Sequence, residues 1–488
     1  MYPVDDTYIH MAIGKTLSSD YVWGITGEEY SSASSSVLYS LILGILFFLF
    51  GKNDYLPILV NLIAFSGILY AVYKISLKER LGTGVQVVLL LGIICILPGY
   101  SLVLIGMEHS MQLLFNLAFF YVSSLVLSQE KPAPRLWKML YILGALSGLV
   151  RYEGLFIVFV VGLLLFFRKK YMHAVMLGAA SVAPLVLFAA YSLFHDLYPI
   201  PNSVLIKSDK PSGEGRWLHL FFNWATKLHR EPFIWTMFIG AVGIILKSWF
   251  GKLRRLGLFV LVILLVYMIH MNFARFGILG RYEAYIILAF FVAVGIFYRR
   301  VLQQSNWSIV RWGLVVLVAI PFVLRAWQVS QGTWMGIKSI HGQQYQMARF
   351  VEKYYPNETV AINDIGTTSY FTNAKVLDLY GLASMEVTRM RAAGKYNRNA
   401  LDQLVKDKNV ALIMIYDEWF KDKISKDWVL ISKWRIKENN VCAFNEVSIY
   451  APSIGQAARL RKNLSEFQNT VPAGIMQVEY NEPVFANH

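Results

Sequence analysis

Charge is scarce in this chain: Asp, Glu, Lys and Arg together make up 16% of its 488 residues, against about 25% in an ordinary soluble domain. That shortage argues against a water-soluble enzyme. Cysteine is nearly absent, with Cys95 inside an apolar run and Cys442 far away in a polar region, so neither a disulfide framework nor a zinc site follows. No basic segment leading into a short apolar core opens the chain, which argues against a cleavable signal peptide. A P-loop and a G-x-G-x-x-G fingerprint after a strand are both missing, and nucleotide-dependent chemistry is not expected. His10 and His109 are too isolated in sequence to suggest a metal site, and no metal or cofactor is expected.

Apolar residues fill the space: 56% of the chain is hydrophobic, and several runs reach the ~20 residues that carry a helix across a ~30 Å hydrocarbon core. Spans are expected near 55–74, 84–105, 109–127, 172–194, 233–250, 256–273, 282–298 and 310–327. The run 37–50 is short for a crossing and reads as a marginal, re-entrant or surface helix. The stretch 139–167 is interrupted by Arg151, Tyr152 and Glu153 and reads as two helices meeting at a polar elbow.

The formal charge of +15 would raise the question of nucleic acid in a soluble chain. Here much of the Lys and Arg lies in short clusters between apolar runs, where it orients helices by the positive-inside rule. Lys74, Lys78 and Arg80; Lys131, Arg135 and Lys138; Arg168, Lys169 and Lys170; Lys247, Lys252, Arg254 and Arg255; and Arg299, Arg300 and Arg311 fall on alternate loops. These are assigned to the cytoplasm. The other loops, and everything after residue 328, then face away from it. Past 328 the pattern becomes soluble: a helical period over 343–355, and β-type runs at 359–362, 376–379, 410–416, 428–432 and 441–450. The expected architecture is a polytopic α-helical membrane protein with a C-terminal extracytoplasmic mixed α/β domain. Its parts are an acidic extracytoplasmic loop at 1–35, a multi-span domain at 36–328 and the α/β domain at 329–488, whose tail after about 470 reads as poorly ordered.

Ionisable residues at the ends of membrane spans are costly and mark function. Four expected outer-side elements carry them: Asp5 and Asp6 in "PVDDTYIH", Glu108 and His109 in "IGMEHS", Arg151 and Glu153 in "LVRYEGL", and the loop "HDLYPIPNSVLIK". Adjacent carboxylates raise each other's proton affinity, so one can act as a base while its partner orients substrate. An acidic turn or helix N-cap is the bland account of the same pair, and an internal ion pair that of Arg151 and Glu153. A cavity lined by these carboxylates and by Arg151, Lys207 or Arg281 would suit a phosphate-bearing lipid and a polar acceptor, with the cations stabilising a departing phosphate. The Asp-Gly strand ends in "INDIGTTSYF" and "VLDLYGL" read as tight turns or as a glycan-contacting loop.

Taken in order along nearly the whole chain, these motifs resemble membrane glycosyltransferases of the GT-C superfamily, in particular the bacterial terminal arabinofuranosyltransferase type. The Asp-Asp-x-[Tyr/Phe]-Ile segment of that family's first outer loop is matched by Asp5, Asp6, Thr7, Tyr8 and Ile9, and the small-residue stretch that follows by "YSSASSSVLYSLIL". Its Gly-Met-Glu turn is matched by Gly106, Met107 and Glu108. Arg151, Glu153 and Gly154 match its Arg-Pro-Glu-Gly, with Tyr152 in place of proline. Pro201, Asn202, Ser203 and Lys207, the Arg281-Tyr282 pair in "GRYEAYIIL", and the elements Asp364–Gly366 and Asp378–Leu382 complete the likeness.

The resemblance implies sugar transfer from a polyprenyl-phosphate sugar to a glycan, glycolipid or protein acceptor at the outer face of the bacterial cytoplasmic membrane, with inversion and without metal. It implies Asp5 or Asp6 as catalytic base, and Tyr8, Glu108, His109, Arg151, Glu153, Asn202, Lys207 and Arg281 as substrate-binding residues. The family places a first membrane helix before the Asp pair, whereas four residues precede Asp5 here; the outer side inferred for residues 1–35 fits a span missing upstream. A transporter or lipid flippase and an envelope assembly factor are the alternatives, and oligosaccharide transfer shares the chemistry.

Overall fold

A computed structural model of the chain describes residues 1–207, 226–227, 231–251, 253–299, 309–472 and 474–480. The acidic N-terminal segment is a helix, α1 (Asp5–Ser19), rather than a loop, with Asp5 and Asp6 in its first turn, where carboxylates oppose the positive end of the helix dipole. Sequence periodicity misses α1 because it has no single apolar stripe: Thr7 to Gly14 are all buried, on every face, between the bundle and the α/β domain. Helix α2 (Val37–Phe50) starts on Ser36, whose side chain accepts from the Tyr39 amide at 3.2 Å. It buries Tyr39, Leu43 and Phe47 and exposes Leu41, Ile45, Phe48 and Leu49. Near its start Ser40 touches His10 of α1 (2.9 Å), and just past its end Lys52 donates to the Tyr370 carbonyl (2.9 Å). Both ends are thus tied to the end of the molecule at which α1 and the α/β domain meet.

The bundle follows: α3 (Leu56–Lys78), α4 (Thr83–Cys95), α5 (Gly99–Ile105), α6 (His109–Ser128), α7 (Pro134–Val150), α8 (Gly154–Phe167), α9 (Tyr171–Phe194), the short α10 (Asn202–Lys207), α11 (Pro232–Phe250), α12 (Arg254–Phe273), α13 (Ala284–Phe297) and α14 (Ile309–Gly342). Among the described residues six of these stretches are long and apolar enough to cross a membrane, counting α4 and α5, which break at Pro98, as one. The elbow expected at 151–153 is present, with Arg151 extended (φ −156°, ψ 142°) between α7 and α8. Contacts across the end of the bundle opposite α1 knit the alternate basic loops together. Lys170 donates to the Gln129 and Glu130 carbonyls, Arg299 to the Arg80 carbonyl, and Arg255 pairs with Glu79. No linker separates the domains at 328: α14 has 34 residues, about 51 Å at 1.5 Å each, and runs straight into the C-terminal domain.

That domain comprises α15 (Gln344–Tyr354), β1 (Thr359–Ile362), α16 (Gly366–Phe371), β2 (Lys375–Asp378), α17 (Met385–Ala392), α18 (Arg398–Asp407), β3 (Val410–Ile415), α19 (Asp417–Phe420), β4 (Val429–Ile436), β5 (Glu446–Ala451), α20 (Ile454–Gln468) and β6 (Met476–Tyr480). Its sheet has the order β2-β1-β3-β5-β4-β6, with β2, β1 and β3 parallel and the rest antiparallel. Every residue of β3 is buried, as expected of a central strand covered on both faces. The five anticipated strands are present, and the tail read as poorly ordered supplies a sixth: β6 pairs with β4 from Ser432↔Tyr480 to Ile436↔Met476. Residues 481–488 of that tail lie outside the described part.

One junction fixes the α/β domain to the bundle. Asp5 accepts from the Gly366 amide (2.7 Å), the Thr367 amide (2.8 Å) and the Thr367 hydroxyl (2.6 Å), capping α16 from another helix. At the far end of α16, Lys15 donates to the carbonyls of Ser369 (2.7 Å), Tyr370 (3.2 Å) and Thr372 (2.7 Å). One helix therefore satisfies the free backbone groups at both ends of another. Gly366 is required by closeness: a Cβ there would lie 2.2 Å from the Asp5 carbonyl oxygen and 2.9 Å from the Ile9 nitrogen. Gly366→Ala is therefore expected to destabilise the purified protein by about 1–3 kcal/mol, read as a drop in thermal midpoint and faster proteolysis of the 329–480 region. Gly162→Ala, where a Cβ meets nothing within 4 Å, should leave both unchanged.

Candidate functional site

A cavity of about 300 Å³ opens at the α1 end of the bundle, and the sequence elements expected to meet there line it. Helix α1 contributes Asp6, Ile9 and His10; the serine-rich stretch Ala33 and Ser35; the 106–108 turn Met107; and the elbow Arg151, Tyr152 and Glu153. Ser203, the 273–275 stretch and Tyr282 close it. The 106–108 turn depends on Gly106, which sits at φ +70° and whose Cβ would strike the Tyr2 ring at 2.3 Å.

Arg151 is the hub. Its Nη1 donates to Glu108 at 2.6 Å, and its Nε and Nη2 form a fork on Glu153 at 3.1 and 2.9 Å. Glu108 is fully buried, 3.1 Å from His10 Nε2, and accepts from Ser35 at 3.1 Å. Burial would raise the carboxyl pKa of Glu108, but His10 and Arg151 outweigh it and hold the group well below the usual carboxylate range. Glu153 is likewise held below its ordinary value, with Arg151 overcoming burial. A second pair lies across the cavity: Arg281 donates to Asp6 at 3.0 Å and to the Tyr282 hydroxyl at 3.1 Å. The Tyr282 ring lies under both guanidiniums, 5.2 Å from Arg151 and 5.0 Å from Arg281, a cation–π arrangement that spaces the two cations. Arg275 lines the cavity from an exposed position.

The expected site residues thus fall into three groups. Asp6, Arg151 and Glu153 line the cavity. Glu108, His109 and Arg281 stand behind that wall: Glu108 and Arg281 hold Arg151 and Asp6, and His109 packs edge-on against Tyr282 at 5.6 Å. Asp5, Tyr8 and Asn202 point elsewhere. Asp5 caps α16; the Tyr8 ring packs among Tyr2, Tyr370 and Phe371; and Asn202 bonds Thr388 at 3.3 Å, leaving its neighbour Ser203 to reach the cavity. Lys207 ends α10, and its side chain lies outside the described part. His10, Ser35, Tyr282 and Arg275 belong to the wall although none of them was expected as a site residue. The spacing of His10 four residues after Asp6 would have revealed it, had α1 been read as a helix.

Behind Asp5, the strand-end Asp364 accepts from Gln344 (2.9 Å) and Tyr416 (2.7 Å). Burial, then the neighbouring Asp5 carboxylate, raise its pKa from 3.8 to about 7. The folded protein therefore holds this proton more tightly than the unfolded chain. The stability it lends is full below about pH 4 and is lost as pH rises through about 7. The thermal midpoint should fall between about pH 5 and about pH 8, and Asp364→Asn, which has no proton to lose, should flatten that slope. An unchanged slope in the variant would assign it to other groups.

Fold and cavity together define a class: a multi-pass helical membrane protein carrying a C-terminal mixed α/β domain above a charged cavity at one end of its bundle. Residues 337–450, most of the α/β domain, match the model of a domain of unknown function, DUF8728. No curated protein and no solved structure matches the chain.

Proposed function

We propose that the protein is an integral membrane glycosyltransferase. It moves a sugar from a polyprenyl-phosphate donor to a cell-envelope glycan, lipid or protein acceptor on the outer face of the bacterial cytoplasmic membrane. The observation that carries this reading is the meeting, in one cavity at the end of the bundle away from the basic loops, of a carboxylate (Asp6) and a pair of arginines (Arg151, Arg275). A lipid-linked substrate would reach such a cavity from the bilayer, and a hydrophilic acceptor from beneath the α/β domain. The motif resemblance supplies the reaction class, and the positive-inside alternation supplies the side.

In this mechanism the acceptor oxygen attacks the anomeric carbon of the donor sugar from the face opposite the phosphate. The bond from that carbon to the phosphate oxygen breaks, and its electron pair leaves with the phosphate as polyprenyl phosphate. The acceptor proton passes to Asp6, and the configuration at carbon inverts. Of the two adjacent carboxylates Asp6 is the base, because Asp5 spends both oxygens on α16. Arg281 holds and aims Asp6. Arg151 and Arg275 balance the charge that develops on the departing phosphate, while Glu153 and Ser203 receive sugar hydroxyls. Glu108 serves by holding Arg151 in place. No metal or nucleotide sugar enters the scheme.

The test is transfer by membranes containing the overproduced protein, supplied with polyprenyl-phosphate sugars labelled in the sugar. Label entering an envelope glycan, with stoichiometric release of polyprenyl phosphate, is the expected result. Vectorial movement of intact donor across the membrane without hydrolysis or transfer would instead favour the flippase reading.

A further inference from the structure

At the opposite end of the bundle lies a second cavity, of about 330 Å³, that the proposed reaction does not use. The C-terminus of α3, the last turns of α6 and the start of α12 enclose it. On one wall Glu79, 1% exposed, accepts from the Tyr121 hydroxyl at 2.7 Å and pairs with Arg255. That pairing consumes the Arg255 charge. Arg254, beside it at the first position of α12, is exposed and has no hydrogen-bonding or ion-pair partner among the described residues. Arg168, at the end of α8, lies near enough to Arg254 that burial and this like charge hold its guanidinium below the ordinary range. Lys78 sits 5.6 Å from the centre of the Tyr121 ring. Arg254 and Arg255 against the one carboxylate of Glu79 therefore line a polar hollow, with Lys78 and Arg168 close by, an arrangement that favours an anion.

The depth of this cavity indicates where the anion comes from. Trp249 and Phe250, at the end of α11, are 82% and 83% exposed, and Phe167 at the end of α8 is 72% exposed. Large aromatic side chains left bare at the ends of membrane helices lie at the headgroup level of a bilayer, and Arg254 follows Phe250 by four residues. We propose that this cavity binds the phosphate of an anionic phospholipid of the leaflet facing the basic loops, with Arg254 as its ligand and the lipid chains against the exposed apolar faces of the bundle. This inference is independent of the glycosyltransferase reading and concerns the other end of the molecule.

Native mass spectrometry of the detergent-purified full chain tests it, with phosphatidylglycerol or phosphatidylcholine added in turn. Wild type should retain phosphatidylglycerol in preference to phosphatidylcholine. Arg254→Ala should weaken that retention about tenfold, while Lys131→Ala, a basic-loop residue that does not line the cavity, should retain it fully. A second arm adds inorganic phosphate or pyrophosphate at millimolar concentration. Failure of either ion to displace the lipid or raise the thermal midpoint identifies the lipid as the source, whereas displacement by either overturns the lipid assignment in favour of a free anion. Equal retention of the two lipids by wild type, or equal loss in the Arg254 and Lys131 variants, would show diffuse attraction and overturn the site.

Discussion

Replacing Asp6 by Asn is expected to lower sugar transfer by ~10²–10⁴-fold, the span that removal of a general base commonly covers, while leaving the protein in the membrane. The Asn side chain keeps one oxygen to accept from Arg281, so Arg281, 3% exposed, does not lose its hydrogen bond. The loss should fall on turnover and spare donor affinity, because in the proposed reaction Asp6 acts on the acceptor proton and arginines hold the donor phosphate. Asp5→Asn should behave differently. Its carboxylate binds two amides and a hydroxyl of α16, so its loss should reduce the thermal midpoint and leave turnover per folded molecule largely intact. The opposite pattern, with Asp5→Asn folded and inactive and Asp6→Asn active, would exchange the two roles.

Arg151→Met is expected to be the most destabilising single substitution in the bundle. It leaves Glu108 and Glu153 facing one cavity wall without the cation that both of them share, and stripping one partner from a buried pair costs about 3–5 kcal/mol. Adding Glu108→Gln and Glu153→Gln should recover much of that loss by removing the stranded charges, yet should not recover transfer. Thermal unfolding in detergent separates the two effects. A midpoint for Arg151→Met within a degree or two of wild type would mean that the two glutamates are solvated or protonated, and that the hub does not hold the wall together.

How far such a site can be read from sequence depends on which interactions leave a local trace. The elbow at 151–153 was legible because charge inside an apolar run is costly and therefore conspicuous. The fully buried β3 showed itself as a continuous apolar run, "VALIMI", and the alternation of basic loops gave the ends of the bundle on which those loops meet. Helix α1 was not legible, since a helix buried all round by two domains carries no one-sided stripe, and its polar residues are satisfied by distant partners. The division of labour within the Asp pair was hidden for the same reason: Asp5 meets Gly366 and Thr367 across more than 360 positions, a pairing no spacing announces. Asp364 showed only as part of a turn or glycan-contacting loop, because its raised pKa comes from burial and from Asp5. The edge strand β6, "MQVEY", is short, and only its register with β4 identifies it. The likeness of ordered motifs gathered Asp6, Arg151, Glu153 and Ser203, which do line one cavity. It also gathered Tyr8 and Asn202, whose side chains pack into the junction with the α/β domain.

In the proposed reaction a sugar leaves a polyprenyl phosphate in the Asp6–Arg151 cavity. Mass spectrometry of envelope glycans and polyprenyl-phosphate sugars tests it most directly, in cells lacking the gene and in the same cells supplied with wild type or Asp6→Asn. One sugar should be missing from a glycan and its lipid-linked donor should accumulate, with both restored by wild type and neither by the variant. Unchanged glycans and donor pools in the deleted cells, or full restoration by Asp6→Asn, would contradict it.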